Sequence, residues 1–259
     1  MLSRKNYIKS PVEIREELLV FFRKNDPLVI FDIGCCEAED SIRYSDLFPA
    51  STVYAFEPRA DNCAKAKELI SEYKKNNIVL ENLALSNKNG VAEFFLSEGD
   101  PEKQEDREEW NYGNKSSSLL PPSEQIKTET SWLRFNKKVE VDTVRLEDYV
   151  MKKGLKTIDF AHIDVQGAEL MVLEGAGVFI DKIKLIWLEV ESVELYKGQP
   201  LKNDVERFMQ RHNFVNILDT VNAVTGDQLY VNRNFFPVEK TEQAKKVKKT
   251  NNFFKRFFK

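Results

Sequence analysis

Short apolar runs alternate with segments of helical periodicity along most of this chain. Nearly continuous apolar runs, the pattern of strands buried on both faces, occupy residues 28–34, 52–56, 78–83, 158–164 and 183–191. Between these runs, at 61–73 and 167–174 for example, apolar residues recur every three or four positions, as in an amphipathic helix. Strands that alternate with helices in this way predict βαβ units and an α/β fold with a mostly parallel sheet.

The two ends of the pattern differ from its middle. Near the amino end, residues 10–13 (SPVE) have the sequence of a capping box with proline at the first helical position, and they predict a helix that continues to about Lys24. Near the carboxyl end, residues 214–218 and 229–231 predict an antiparallel pair of strands that closes the sheet.

Residues 98–138, between strands predicted at 91–96 and 139–143, interrupt the alternation. This insertion begins with an acidic stretch at 98–109 and contains three aromatic residues of interest, Trp110, Tyr112 and Trp132. An irregular stretch of this length inside a domain is either a functional lid or a disordered loop, and the sequence allows both. The aromatic side chains either stack on a sugar ring or anchor the insertion to the body of the domain.

Length and composition favour one large domain, which we predict to comprise residues 1–236 and to be followed by a basic aromatic tail at 237–259. The chain has 259 residues, of which 42% are apolar and 31% charged, as expected for a normal core. No apolar run approaches the ~20 residues that cross a bilayer, and the first residues show no signal-peptide pattern. The three cysteines match neither a disulfide framework nor a zinc site, so we expect a reduced, cytoplasmic protein.

The net charge of −3 conceals two regions of opposite charge. Residues 237–259 carry +6 and the remaining chain −9, which argues against a nucleic-acid-binding surface on the domain. In the tail, four phenylalanines at 253–258 lie on one side of a predicted helix, with basic residues opposite them. Residues 245–259 therefore predict peripheral contact with the inner face of an anionic membrane. A docking peptide for a partner protein and a solubilising end are the alternatives.

Candidate binding residues follow the predicted strands, because ligands of open parallel sheets bind at the carboxyl ends of the strands. Gly34 ends the first strand and lets the backbone turn tightly beside a ligand. Glu57 ends the second strand, where a carboxylate can accept hydrogen bonds from both hydroxyl groups of a ribose. Together the two residues predict a site for a nucleoside-containing cofactor.

Asp32 narrows the choice of cofactor. A dinucleotide fold requires a G-x-G-x-x-G sequence because its pyrophosphate sits on bare backbone, whereas this chain has only Gly34, with Asp32 in the place of the first glycine. A carboxylate there repels a pyrophosphate but suits a cofactor with a cationic amino group and a sulfonium. The sequence thus favours S-adenosylmethionine over NAD, and an NAD-linked oxidoreductase is the weaker alternative.

Three residues at or near strand ends are candidates for the catalytic base. His162 and Asp164 are two positions apart and therefore share a face of their strand, and Glu189 lies at the end of the next strand. Asp164 is alternatively the N-cap of the helix at 167–174, and His162 a buried structural histidine. Asp164 and Glu189 could also bind a divalent metal, but no further ligand spacing supports this, and we predict no metal site.

Four segments resemble, in order, the successive motifs of the FkbM-type S-adenosylmethionine-dependent methyltransferases. They are residues 31–34 (FDIG), 54–58 (YAFEP), 82–86 (NLALS) and 163–170 (IDVQGAEL). The similarity extends from about Val29 to Leu218 and includes residues 117–119 (SSL) ahead of the strand at 139–143. The last of the four segments is the most specific.

The resemblance implies a Rossmann-like class I methyltransferase fold, with a mostly parallel seven-stranded sheet and helices on both faces. It also implies transfer of a methyl group from S-adenosylmethionine to a hydroxyl oxygen of a sugar or natural product. From this we expect an acceptor in glycan or polysaccharide biosynthesis.

The predicted cofactor-binding residues are Asp32, Gly34, Cys35, Glu57, Pro58, Asn82, Ala84 and Leu85. In the assignment that the resemblance implies, the loop at Gly34 holds the methionine part of the cofactor, Glu57 binds the ribose, and residues 82–85 border the adenine. Two positions depart from the family pattern, since Ala38 stands where glycine is usual and Gln166 where many members have glutamate. A catalytically impaired cofactor-binding or scaffold protein of the same fold is therefore a further alternative.

Overall fold

The structure is a computed structural model that describes residues 3–100 and 110–246. Most of the acidic stretch predicted at 98–109, and the phenylalanine-rich part of the tail at 247–259, lie outside the described residues. Within the described ranges the strands are β1 (Val29–Ile33), β2 (Thr52–Phe56), β3 (Ile78–Glu81), β4 (Ala84–Ser86), β5 (Gly90–Glu98), β6 (Arg134–Arg145), β7 (Ile158–Ile163), β8 (Ile183–Glu191), β9 (Phe214–Asp219) and β10 (Thr225–Asn232). The helices are α1 (Arg4–Lys9), α2 (Arg15–Phe21), α3 (Glu39–Leu47), α4 (Ala60–Glu72), α5 (Glu124–Glu129), α6 (Leu146–Lys153), α7 (Glu169–Gly175) and α8 (Lys202–Arg211), with a 3-10 helix at Gly177–Lys182.

Seven strands form one sheet in the order β3-β2-β1-β7-β8-β10-β9, which confirms the predicted seven-stranded sheet. The first five strands in this order are parallel, and β10 pairs antiparallel with both β8 and β9, as the pattern at 214–218 and 229–231 predicted. The strand order reverses between β1 and β7. The loops that follow these two strands therefore diverge and open a crevice at the carboxyl edge of the sheet.

Helices cover both faces of the sheet, because successive residues of a central strand point to opposite sides. Ile30 of β1 belongs to a buried cluster with Leu18 of α2 and Tyr44 of α3. Its neighbour Phe31 belongs to another cluster, which includes Tyr149 of α6. Full burial of each such side chain contributes roughly 1.5–3 kcal/mol, so these clusters hold the carboxyl edge of the sheet in a defined position.

The three remaining strands form a separate small sheet in the order β4-β6-β5. The strands predicted at 91–96 and 139–143 lie in this sheet rather than in the main one. β6 begins at Arg134, so it includes the last residues of the predicted insertion, and α5 lies within the insertion as well. Part of the stretch at 98–138 therefore has regular structure.

The capping box predicted at residues 10–13 is wrong. Ser10 ends α1 instead, and its Oγ donates a hydrogen bond to the carbonyl oxygen of Tyr7 at 2.7 Å. The next helix begins only at Arg15, without a side-chain cap. Pro11 explains why α1 ends at Ser10, because the residue before a proline is driven to the extended conformation that Ser10 adopts here.

Residues 238–246 are helical and pack on the body of the domain. Thr241 and Ala244 are buried, and Lys240 Nζ donates a hydrogen bond to the carbonyl oxygen of Phe21 at 3.1 Å. The division into a domain at 1–236 and a tail at 237–259 stays a prediction. Within the described ranges, no helix combines the length and the apolar character needed to cross a membrane.

Candidate active site

The loop after β1 makes a close approach that only glycine allows. Gly34 has φ +87°, and a Cβ atom built there would lie 1.8 Å from the carbonyl oxygen of Asp164. The amide groups of Gly34 and Cys35 both donate to the carbonyl oxygen of Phe56, each at 3.0 Å. These contacts join the loop to the carboxyl ends of β7 and β2.

The same loop continues through two non-glycine residues in the left-handed region, Cys36 with φ +50° and Ala38 with φ +67°. The conformation explains the glycine that is usual at position 38, because a Cβ atom there costs roughly 1–2 kcal/mol. Ala38 nevertheless keeps the turn, since it is fully buried and its amide donates to the carbonyl oxygen of Cys35 at 2.7 Å. The loop thus closes without a glycine at this position.

A first cavity lies beside this loop, at the carboxyl ends of β1, β2 and β7. The predicted cofactor-binding residues that line it are Gly34, Glu57, Pro58, Ala84 and Leu85. Leu83 and Phe94 add apolar surface to the wall. This cavity therefore combines the buried carboxyl group of Glu57 with walls that are partly apolar and partly polar.

Glu57 is only 5% exposed although it lines the first cavity. Its Oε1 accepts a hydrogen bond from the amide of Arg59 at 2.7 Å. Burial raises the pKa of Glu57 to about 8, although hydrogen bonds from the backbone of Arg59 and Cys36 act in the opposite direction. A buried carboxyl group at the end of β2 suits the predicted hydrogen bonds to a ribose, because no bulk water competes for them.

Three further residues predicted to bind the cofactor, Asp32, Cys35 and Asn82, lie outside the lining of the first cavity. Asn82 Nδ2 donates to the carbonyl oxygens of Glu57 at 2.8 Å and Pro58 at 3.1 Å, so it holds the loop that follows β2. Cys35 is buried and borders a second cavity. Its neighbour Cys36 lines both cavities, and sequence reasoning missed it because a lone cysteine gives no binding signal.

The second cavity meets the first at four residues that line both, Gly34, Cys36, Lys115 and Asp164. Its other walls include Asp32 and His162 from the sheet and Tyr7, Trp110 and Tyr112 from α1 and the insertion. The chain thus forms two adjacent cavities with different linings, the first with mixed apolar and polar walls and the second with aromatic and charged walls.

Asp32 and His162 form a buried ion pair at the second cavity. His162 Nδ1 lies 3.2 Å from Asp32 Oδ1, and Ser41 Oγ donates to Asp32 Oδ2 at 2.5 Å. Burial lowers the pKa of His162, but the hydrogen bond and the charge of Asp32 outweigh it and raise the pKa to about 9. His162 is therefore protonated at neutral pH, which disfavours it as a base.

Asp164 lies at the junction of the two cavities. The alternative that it caps the helix after β7 is wrong, because α7 begins at Glu169 and takes no side-chain cap from Asp164. The carboxylate of Glu169 binds the local backbone instead and accepts hydrogen bonds from the amides of Val165 at 3.0 Å and Gly167 at 3.2 Å. The Asp164 side chain is thus left facing the cavities.

Gln166 connects Asp164 to the neighbouring strand. Its Nε2 donates to Asp164 Oδ1 at 2.8 Å and to Glu189 Oε2 at 2.6 Å. Its Oε1 accepts a hydrogen bond from the hydroxyl of Tyr196 at 3.0 Å. Gln166 itself has φ +57°, which costs free energy and is tolerated because these bonds hold both ends of its side chain.

Glu189 faces Gln166 rather than either cavity. Its Oε1 accepts a hydrogen bond from Thr225 Oγ1 at 3.2 Å. Burial, together with the charges of Asp164 and Glu191, raises the pKa of Glu189 well above its usual range. Glu189 thus supports the Gln166 side chain and lies away from both cavities, which disfavours it as a base.

The insertion forms part of the wall of the first cavity through residues 114–119. Asn114 Nδ2 donates to Glu37 Oε1 at 3.0 Å and to Asn62 Oδ1 at 2.7 Å. Ser118 Oγ donates to the carbonyl oxygen of Gln166 at 2.7 Å. This part of the insertion is therefore attached to the body at both of its sides.

The lining of the first cavity fits a nucleoside cofactor. It offers a backbone approach at Gly34, a buried carboxyl group at Glu57 and apolar surface at Leu83 and Leu85. Among the described residues, no group of three or more histidine, cysteine or acidic side chains is placed to hold a metal ion. Fold and site together define a Rossmann-like α/β protein with a nucleoside-cofactor site at the point where the strand order reverses.

Comparisons with known proteins identify the family. The family described as Methyltransferase FkbM domain matches residues 32–215. The 2-O-methyltransferase NoeI of Sinorhizobium fredii (strain NBRC 101917 / NGR234) is 34% identical over 194 residues, which cover 74% of this chain and 75% of that protein. The chain therefore belongs to the FkbM methyltransferase family, as its motifs indicate, and it is an S-adenosylmethionine-dependent methyltransferase.

Solved structures with more distant likeness include two methyltransferase-like folds. An rRNA methylase from Streptococcus thermophilus has a TM-score of 0.47 and 14% identity, covering 87% of this chain and 98% of that one. Fibrillarin of Aeropyrum pernix, in complex with natively bound S-adenosyl-L-methionine, has a TM-score of 0.44 and 11% identity, covering 87% and 76%. At TM-scores below 0.5, neither likeness bears on the function of this chain.

Proposed function

We propose that this methyltransferase transfers the methyl group to a hydroxyl oxygen of a sugar, in a glycan or polysaccharide. The relative NoeI is a 2-O-methyltransferase by name, which supports an oxygen acceptor. The observation that carries the proposal is the position of Asp164 at the junction of the two cavities. One cavity has the buried carboxyl group and apolar walls that suit an adenosyl group, and the other has the aromatic and polar walls that suit a sugar.

Asp164 is the candidate base. S-adenosylmethionine, when bound, supplies a methyl group that its sulfonium already activates, so the protein has to orient the acceptor oxygen and accept its proton. A hydroxyl group that reaches the junction of the cavities meets the Asp164 carboxylate. The competing candidates are engaged elsewhere, because His162 is paired with Asp32 and Glu189 lies behind Gln166.

Gln166 is a positioning residue for this base. Its amide donates to Asp164 Oδ1, and a rotation by 180° would place the Gln166 carbonyl oxygen against the Asp164 carboxylate instead. The carboxylate of Asp164 is therefore held with one oxygen bound and a fixed orientation toward the junction. A side chain held in this way loses little entropy when an acceptor arrives.

The test is a transfer assay with a tritium-labelled methyl donor and an array of glycans, with the natural protein and Asp164→Asn. We expect the natural protein to label glycans, and we expect the variant to lose roughly 100-fold or more in rate because it has no base. The affinity for S-adenosylhomocysteine, measured by calorimetry, should stay within about tenfold in the variant. Absence of labelled glycans from a protein that binds S-adenosylhomocysteine would contradict the sugar acceptor, and an unchanged rate in the variant would contradict the role of Asp164.

A further inference from the structure

The second cavity has an aromatic wall built from two distant parts of the chain. Trp110 of the insertion lies with its ring centroid 5.2 Å from that of Tyr7 in α1 and 5.3 Å from that of Tyr112. All three side chains line the cavity. Flat aromatic surface of this kind matches the apolar face of a pyranose ring. Trp110 and Tyr112 lie in this wall, whereas the third aromatic residue of the insertion, Trp132, does not.

Trp132 occupies a different environment. It packs against a small buried cluster that contains Ile126, Leu133 and Tyr196. The sequence left open whether the aromatic residues of the insertion bind a ligand or anchor the segment. The structure assigns Trp132 to the anchoring role and brings Trp110 to the cavity.

Trp110 carries a buried hydrogen-bond donor without a partner. The residue is only 9% exposed, and its indole Nε1 makes no hydrogen bond to any part of the chain that the structure describes. A buried donor left in this state costs about 1–3 kcal/mol. The cost is recovered when a ligand in the cavity presents an oxygen to the indole N–H, as a sugar hydroxyl does.

The cations that border the second cavity are already paired. His162 is bound to Asp32, and Lys115 Nζ lies 3.3 Å from Glu39 Oε1. Lys115 also lies 4.6 Å from the centroid of the Trp110 ring, so its charge is turned toward the aromatic wall. A phosphate or carboxylate entering the cavity would have to break one of these ion pairs.

Further carboxyl groups in the lining oppose an anionic ligand. Asp40 and Asp164 border the cavity in addition to Asp32 and Glu39, so acidic residues outnumber basic ones among the described residues of the lining. Arg43, which lies outside the lining, pairs with Asp40, so Asp164 is the carboxylate that keeps the described lining negative. The Asp40 carboxylate accepts a hydrogen bond from the hydroxyl of Tyr7 at 3.0 Å, which fixes it at the aromatic wall. Charges in such a partly enclosed space interact strongly because little water screens them.

The geometry points to this second cavity as the site of the acceptor ring, selective for a neutral or amino sugar and against a sugar that bears a phosphate or a carboxylate. The inference rests on the proposed function, and it adds the chemical class of the acceptor and a contact that recognises it. In this arrangement the ring stacks on the aromatic wall, the Trp110 N–H donates to a ring hydroxyl, and the hydroxyl to be methylated lies near Asp164.

The first experiment replaces Trp110 by phenylalanine, which keeps an aromatic ring and removes the N–H group. We expect the KM for a labelled glycan to rise about tenfold, as loss of one buried hydrogen bond requires, while the Kd for S-adenosylhomocysteine is unchanged. Trp132→Phe is the matched control and should change neither quantity. If Trp110→Phe raises the Kd for S-adenosylhomocysteine by as much as the KM for the glycan, the cavity belongs to the cofactor and the inference is overturned.

The second experiment needs no variant and therefore does not depend on folding of a mutant. The natural protein is given the labelled methyl donor and a glycan array in which neutral, amino, uronic and phosphorylated sugars are all represented. Label on neutral or amino sugars supports the inference. Label confined to uronic or phosphorylated sugars leaves the proposed sugar methyltransferase intact but overturns the selectivity. Absence of label from every glycan overturns the proposed function itself.

Discussion

At the scale of single residues, the burial of Glu57 affects both the stability of the protein and the binding of a ligand, in opposite directions. Its carboxyl group is buried at the end of β2, and burial raises its pKa from 4.5 to about 8. The folded protein therefore holds this proton more tightly than the unfolded chain does between those two pH values, so the free energy of unfolding falls as the pH rises through that window. The same burial strengthens a hydrogen bond to a ligand, because water is excluded.

Glu57→Gln tests this pH dependence of the free energy of unfolding. Glutamine does not titrate, so the stability of the variant lacks the pH dependence that Glu57 contributes. We therefore expect the free energy of unfolding of the variant, minus that of the natural protein, to increase by a few kcal/mol as the pH rises from 5 to 8. All other titrating groups are common to both proteins and cancel in the difference. Urea denaturation at pH 5, 6.5 and 8 measures it, and parallel curves would contradict the buried state of Glu57. The affinity for S-adenosylhomocysteine should fall in the same variant.

Gln166 allows a second prediction at this scale. Gln166→Glu places a third carboxyl group between Asp164 and Glu189, and like charges at hydrogen-bond distance favour the protonated forms. We expect the acid limb of the kcat profile to move up by about one pH unit or more, because Asp164 must be deprotonated to act.

The control for this variant is Tyr196→Phe, which removes the hydroxyl that Gln166 Oε1 accepts without adding charge. It should lower kcat while leaving the position of the acid limb unchanged. An acid limb that moves equally in both variants, or in neither, would show that Asp164 does not titrate in the observed step.

At the scale of elements, the insertion contributes a wall that the central sheet lacks. Residues 114–119 line the first cavity, and the hydroxyl oxygen of Tyr196 lies 2.8 Å from the carbonyl oxygen of Ser116, which shares the hydroxyl proton with Gln166 Oε1. Ser118 also exchanges backbone hydrogen bonds with Phe95 of β5, at 2.8 and 3.1 Å. The insertion therefore joins the small sheet to the end of β7, and both cavities depend on its attachment.

Asn114→Ala tests this attachment. The substitution leaves the buried acceptors Asn62 Oδ1 and Glu37 Oε1 without their donor, which costs about 1–3 kcal/mol. Hydrogen exchange of the amides at 110–120 should accelerate by about tenfold or more, whereas exchange in β8 should not change. Asn111→Ala, at an exposed position of the same segment, is the matched control, and the amide of Gly113 is left out of the comparison because it donates to Asn111 Oδ1 at 3.0 Å. Equal exchange in both variants would contradict the anchoring role of Asn114.

At the scale of the whole molecule, charge is separated along the chain. The first 236 residues carry −9 and the last 23 carry +6. The helical residues 238–246 pack on the body through Thr241 and Ala244. Lys240 in this helix bonds the carbonyl oxygen of Phe21, the last residue of α2.

We propose that the tail binds the surface of an anionic membrane, and deletion of 247–259 tests the proposal. The deletion keeps the packed helix at 238–246, so the melting temperature and the transfer rate to a soluble glycan should be unchanged. Co-sedimentation with phosphatidylserine vesicles should be lost, since each basic residue near the surface contributes about 1 kcal/mol. Phosphatidylcholine vesicles are the control, and equal sedimentation of both proteins with phosphatidylserine would exclude the contact.

The positions of Gly34, Glu57 and Asp164 could be predicted from sequence because each depends on local pattern and chain order. Buried strands can be recognised in the sequence as apolar runs, and the carboxyl ends of parallel strands lie at one edge of the sheet whatever the details of packing. The cofactor class followed from one carboxylate and one glycine at that edge. The seven-stranded sheet, which the resemblance to the FkbM family implied, and membership of that family were confirmed as well.

What the sequence by itself determined was therefore the order of elements, the edge that carries the chemistry and the class of donor. Only the tertiary structure decided the charge and the position of each side chain there. It pairs His162 with Asp32, places Glu189 behind Gln166, and puts Trp110 in the cavity wall but Trp132 in a buried cluster. These outcomes depend on partners that lie tens of residues away in the chain. Burial and pairing set the charge and orientation of a side chain, and neither is encoded in its neighbours along the sequence.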